Sequence, residues 1–160
     1  MKALKIYEVN PYYVKFLSIY QEHLFSEKDG NISRKYIGIV LDINGYKYFA
    51  PLTSFKEKHR KMKERVDLIK IKDIAVINLN NMIPVPEGEF KLVDIIGTKD
   101  KNYKYLLQTE NIEINKRKER IRKNAIIVYR HKCVNNNGTP LSQRTSDFKK
   151  LEQAYKSYIG

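Results

Sequence analysis

The chain has 160 residues, 31 of them Lys or Arg and 18 Asp or Glu, for a net charge of +13. That length fits one domain spanning residues 1–160, and 42% hydrophobic residues are enough for a core. A mean hydropathy of −0.57 without a long apolar run excludes a membrane-spanning helix, and the early charges of Met1-Lys2-Ala3-Leu4-Lys5 exclude a secretory signal and leave the cytoplasm as the expected location.

Lys2 to Val9 reads as a first strand. Asn10-Pro11 then marks a helix start, because Asn accepts from unpaired first-turn N–H groups and proline fits the first turn. Tyr13, Leu17, Tyr20 and Leu24 fall on one face of that helix. Ser26 to Ser33 is a polar loop. Ile37, Ile39, Leu41 and Ile43 alternate with Gly38, Val40 and Asp42, and Asn44-Gly45 leads into Tyr46 to Leu52. Asn-Gly accepts the positive φ angles of a tight turn, so this is a β-hairpin. Ile74 to Leu79 and Phe90 to Ile95 are further strands. Between them, Ile83-Pro84-Val85-Pro86 lacks two N–H donors and reads as an edge or a bend.

From Lys101 to about Val134 the chain has no Pro or Gly and reads as helix, broken near Asn115, with Ile114, Ile121, Ala125 and Val128 as its buried stripe. Asn135 to Pro140 is a loop. Ser146-Asp147 caps a last helix with Phe148, Leu151, Tyr155 and Tyr158 on one face. Strands first and helices later imply an α+β fold: a curved antiparallel sheet or small barrel with helices packed outside.

The charge attracts polyanions through phosphate contacts and counterion release. With it come 12 Tyr and 6 Phe, side chains that stack on bases of single-stranded RNA or fill a core. The single cysteine, Cys133, has no disulfide partner within the chain and reads as a small hydrophobe. No His/Cys cluster has metal-ligand spacing, so neither metal nor cofactor is expected.

The second hairpin strand ends in Ala50-Pro51-Leu52-Thr53-Ser54-Phe55-Lys56-Glu57-Lys58-His59. Two hydroxyls, a lysine and a histidine thus leave a strand end, a rigid platform for a reactive loop. The plain alternative is an ordinary strand exit with Thr53 or Ser54 capping a short helix. Antiparallel pairing brings the start of the first hairpin strand, Arg34-Lys35-Tyr36, beside this exit. Cations and hydroxyls suit a phosphate; a divalent ion prefers clustered carboxylates, and Glu57 stands alone here. RNA supplies its own nucleophile, the 2′-hydroxyl. Such a site stabilises the charge of the crowded phosphorane, which predicts metal-free cleavage to a 2′,3′-cyclic phosphate and a 5′-hydroxyl. Lys58, Arg60, Lys61, Lys63 and Arg65 form a basic segment beside the site, and Lys116, Arg117 and Arg120 lie in a second one from Asn115 to Lys123. Both are candidate RNA contacts; the second is equally well a solvated helix face.

The run Tyr36-Ile37-Gly38-Ile39-Val40-Leu41, then Gly45-Tyr46-Lys47-Tyr48-Phe49-Ala50-Pro51-Leu52-Thr53-Ser54 with Lys56 and His59, resembles the ToxN/AbiQ family. So does Ile77-Asn78-Leu79-Asn80-Asn81-Met82-Ile83-Pro84-Val85, and the likeness is close to the CptN branch. The resemblance implies a MazF-like barrel core and the toxin of a type III toxin–antitoxin system. It implies a sequence-selective endoribonuclease whose partner is a repeated pseudoknot RNA, which the enzyme processes and which inhibits it within closed protein–RNA rings. Growth arrest or phage abortive infection is the implied outcome. Thr53, Ser54 and Lys56 match the family's catalytic segment. Arg34 falls where members carry an active-site lysine; its permanent charge makes it a poor base. No tyrosine occurs from Glu27 to Ser33, where some members use one. His59 reads as a proton shuttle, a base contact or a structural residue. The rival from another class is a non-catalytic RNA-binding module.

Overall fold

The computed structural model describes residues 2–21, 34–134 and 138–160. Leu24, the loop from 26 to 33 and residues 135–137 lie outside them. The centre of the fold is the predicted hairpin: β2 (Lys35–Ile43) and β3 (Tyr46–Ser54), joined by Asn44 and Gly45 at φ 52° and 84°. A register shift between Ile37 and Leu41 interrupts the ladder, the kind of irregularity that bends a strand and raises its twist. Phe49 closes over this point. A Cβ on Gly38 would lie 2.3 Å from its ring, so only glycine fits.

On the outer side of β2 lie β1 (Lys5–Val9) and then β7 (Phe90–Leu92). The other side of β3 is shared. Its end, Leu52–Ser54, pairs with β5 (Ala75–Asn78), which pairs with β4 (Leu68–Ile71); Tyr48 and Phe49 pair with β6 (Ile83–Pro84). The short β6 is the edge that the prolines predict. Among the described residues the sheet is antiparallel with order β4-β5-β3-β2-β1-β7. Its two end strands do not pair with each other, so of the two expected forms it is the open one. Strands of four and three residues at the ends offer too little ladder for closure.

Three strands are shorter than predicted: β1 begins at Lys5, not Lys2. β5 stops at Asn78, where a 3-10 turn (Leu79–Asn81) begins, and β7 stops at Leu92. A short α1 (Pro11–Ser18), capped by Asn10, buries Tyr13, Val14 and Leu17. The long helix is two: α3 (Lys101–Lys116) and α4 (Lys118–Val134). The break falls at Arg117, just past Asn115. The Asn115 amide instead pairs with the backbone of Leu4, accepting at 2.8 Å and donating at 2.9 Å. The Arg117 guanidinium turns to the Glu64 carboxylate and the Lys70 carbonyl. The stripe Ile114, Ile121, Ala125 and Val128 is buried as predicted.

A short α5 (Pro140–Arg144), capped by Thr139, follows where a loop end was expected. Asp147 caps α6 (Phe148–Ile159), whose Phe148 and Leu151 are fully buried. Glu152 of α6 accepts from the hydroxyls of Tyr48 and Tyr129, both at 2.7 Å, tying this helix to β3 and α4. Cys133 is half-buried against the core, and burial pushes its thiol pKa up.

Candidate active site and RNA-facing surface

The site is built where β3 runs out. Thr53 and Ser54 are its last residues, paired with Val76 and Ala75 of β5. Ser54 is exposed and Thr53 half-buried, so both hydroxyls stand at the rim of the sheet. Neither caps the following helix. The Phe55 N–H donates to the Ile74 carbonyl, extending the ladder by one more bond. Only then does α2 (Glu57–Lys61) start, with Lys56 at its N-cap position and exposed.

His59 determines how Lys56 sits. Its imidazole is buried, and Nδ1 accepts the Lys56 backbone N–H at 2.8 Å. The ring also packs against Phe55, whose other contact is the Arg60 guanidinium, 5.6 Å from the ring centroid. Accepting at Nδ1 requires that nitrogen to be unprotonated. Burial first, then the charges of Lys58, Lys56 and Lys70, hold the imidazole below the ordinary histidine value of 6.5. Below pH 6.5 the unfolded chain therefore takes up a proton that the native ring refuses. Stability contributed here falls as pH drops from that value towards the native one.

The hairpin register brings Lys35 opposite Leu52 and Tyr36 opposite Pro51, so the next step sets Arg34 beside Thr53. Arg34 is half-buried; Tyr36 is buried. Lys35 directs its ammonium to Glu8 at 2.8 Å. Lys58, Arg60, Lys61, Lys63 and Arg65 are all exposed. Within the second basic segment, Lys116 reaches Glu113 at 3.0 Å and Arg120 reaches Glu64 at 3.7 Å. Arg117 is held by Glu64. Glu64 thus joins the two basic segments into one face. Its carboxyl is held below the ordinary value by the Arg117 hydrogen bond, against the opposing effect of burial.

Just before β4 lies a buried polar group absent from the sequence reading. Asp67 is fully buried and takes two bonds from Arg144, both at 2.8 Å, with Arg65 at 3.3 Å. Burial pushes its carboxyl up, but Arg144 and Arg65 hold it below the ordinary value. The Leu79 N–H donates to the Asp67 carbonyl, the Ser146 N–H to the Asn80 carbonyl, and the Asn80 amide to the Arg144 carbonyl. The turn after β5 is fixed from both sides. At its start, the Asn78 amide reaches the Thr53 hydroxyl at 3.4 Å. Asn78 was part of the run that carried the family resemblance, but a strand-end asparagine has no signal of its own. Among the described residues, no group of three or more His, Cys, Asp or Glu could hold a metal ion, and no helix is long and apolar enough to cross a membrane.

An open, curved antiparallel sheet carries hydroxyls and a lysine at one strand end, and two basic segments joined through Glu64 form a positive face that attracts polyanions. Residues 5–156 match the family model of the toxin ToxN of type III toxin–antitoxin systems. The chain belongs to that family. It is 32% identical over 164 residues to the endoribonuclease ToxN of Bacillus thuringiensis subsp. kurstaki, covering 96% of this chain and 84% of the relative. A solved toxin structure, from work on selective toxin inhibition by a non-coding RNA pseudoknot, superposes with a TM-score of 0.86 at 29% identity, covering 99% of each chain. The structure of AbiQ, a lactococcal anti-phage endoribonuclease of the type III systems, superposes with a TM-score of 0.82 at 27% identity, again covering 99% of each chain.

Proposed function

We propose that this chain, an endoribonuclease by its family, cleaves RNA without a metal ion and leaves 2′,3′-cyclic phosphate and 5′-hydroxyl ends. The observation that carries this reading is the strand exit: two hydroxyls and an exposed lysine at one rim, with Glu57 the sole carboxylate of that short segment. Thr53 and Ser54 hold the scissile phosphate, and Lys56 and Arg34 stabilise the charge that builds on its oxygens. His59 acts through the Lys56 backbone rather than as a proton carrier, since its Nδ1 is already engaged and its ring is buried.

Incubation with total RNA in excess EDTA tests the chemistry. Discrete fragments should appear, and their 5′ ends should accept phosphate from a kinase directly. Loss of cleavage with chelator, restored by magnesium, would sink the mechanism. An RNA that is bound but never cut would leave the binding module as the reading.

His59→Ala should slow cleavage less than loss of the Lys56 side chain, because the ammonium remains while its backbone anchor goes. Wild-type stability should also decline between pH 6.5 and more acid values, and His59→Ala should flatten that slope. Thermal melts across this range read the effect, and an unchanged slope refutes it.

The basic face formed by Lys58–Arg65 and Lys116–Arg120 is proposed to bind a structured RNA antitoxin, a repeated pseudoknot like the one that inhibits the related toxin. Tyr36 is buried in the core and Lys35 is held by Glu8 on a strand paired on both sides, so neither belongs to this face, contrary to the sequence expectation. One RNA repeat bridging two proteins head to tail would close a ring. Growth arrest or phage defence, exerted in the cytoplasm, is the proposed outcome. Co-expression with the repeat RNA encoded beside the gene should yield a complex whose mass contains several copies of each component. A monomeric, RNA-free and still toxic protein would refute this partner.

A further inference from the structure

We infer that Asn78 is a positioning residue that aims the Thr53 hydroxyl at the phosphate; the inference rests on the proposed role of Thr53. Thr53 and Val76 are direct cross-strand partners, so Asn78, two residues beyond Val76, shares their face of the sheet. Its Nδ2 donates to Thr53 Oγ1 at 3.4 Å. A hydroxyl has one hydrogen to give and two lone pairs to fill. With one lone pair occupied by the Asn78 amide, the hydroxyl hydrogen turns away from β5. Arg34, set beside Thr53 by the hairpin register, shares this face, and the phosphate oxygens would lie between them. The bond therefore presets a donor for a developing negative charge, and a donor already aimed costs no reorganisation when that charge appears.

The arrangement is fixed by more than one bond. Asn78 immediately precedes the turn Leu79–Asn81, and that turn is held by the Asp67 carbonyl, the Arg144 carbonyl and the Ser146 N–H. The amide is thus carried on backbone tied to the ion pair between the fully buried Asp67 and the half-buried Arg144. A free strand-end asparagine would sample many rotamers; here the backbone beneath it is constrained on both sides.

A double-mutant cycle tests this, with an RNA oligonucleotide containing a cleavage site mapped on total RNA. Thr53→Val should slow kcat strongly. If it does not, the role of Thr53 fails, and the inference with it. Given that loss, Asn78→Ala in the otherwise wild-type protein should lower kcat roughly 10- to 100-fold, by analogy with the loss of a residue that orients a metal ligand. KM should stay nearly constant. In the Thr53→Val background the same substitution should add little, because the hydroxyl it aims is gone. Equal losses in both backgrounds, or no loss in either, overturn the inference. Asn78→Asp guards against a folding failure of the alanine variant, since it keeps shape but can only accept. It would turn the Thr53 hydrogen towards β5 and should be slow in a protein that melts normally. Full activity of Asn78→Asp would likewise overturn the inference.

Discussion

Lys56→Ala is expected to lower kcat by about 10²-fold or more while the protein folds normally, by analogy with the loss of one donor to a developing oxyanion. The fold should survive because Lys56 is exposed and its bonds to His59, from its N–H to Nδ1 and to its carbonyl from the His59 N–H, are made by backbone that alanine retains. The loss should appear in kcat more than in KM, since the charge that Lys56 meets is larger in the transition state than in the bound RNA. Lys56→Arg should recover part of the rate, keeping the charge but not the compact ammonium. Near-normal turnover by a correctly folded Lys56→Ala protein would remove Lys56 from the catalytic set.

Arg144→Ala is expected to be the most damaging change away from the site, lowering stability by about 3–5 kcal/mol, the usual cost of orphaning a buried charge. Asp67 is fully buried, and Arg144 supplies two of its bonds. Arg65 alone, at 3.3 Å, is a poor replacement. The pH dependence should also reverse. In the wild type the Asp67 carboxyl is held below its ordinary value of 3.8, so its contribution is present above that value and is lost as pH falls through the native one. Without Arg144, burial dominates and the native carboxyl binds its proton more tightly than the unfolded chain. Stability should then fall as pH rises above 3.8. Chemical denaturation at two pH values reads both effects. A loss under about 1 kcal/mol, the scale of an exposed ion pair, would mean that Asp67 is solvated in solution.

Local signals made much of the fold legible. Asn44-Gly45 determines the hairpin turn, Asn10-Pro11 a helix start and Asp147 another, and each acts through its own backbone and nearest neighbours. β4 was not legible, because Leu68 to Ile71 is too short to establish a period. The helix break near Asn115 was legible, but not its cause: the break falls at Arg117, and the Asn115 amide completes the backbone pairing of Leu4, 111 positions away. The same limit applies to the site. Thr53, Ser54 and Lys56 stand together in sequence, and hairpin logic brings Arg34 to them. Asp67 with Arg144 and Asn78 with Thr53 are pairings across 77 and 25 positions that no local pattern announces. Charge was the least faithful guide. Lys35 and Arg117 look like free cations in the sequence, but each has a carboxylate partner within the fold.

The Asp67–Arg144 pair also sets an order of completion. A chain grows from its N-terminus, and domains tend to fold as units as they emerge. Thr53, Ser54 and Lys56 are made before Arg144 and Ser146, which fasten the turn that follows β5. While these remain inside the ribosome, the buried carboxylate lacks its main partner and the turn bearing Asn78 is tied from one side only. A nascent chain therefore carries its reactive residues on an unfinished floor, and a product truncated before α5 carries them there permanently. For an enzyme directed against RNA, the message being read is the first RNA within reach. The proposed site is complete only once Arg144 and Ser146 have left the ribosome and docked.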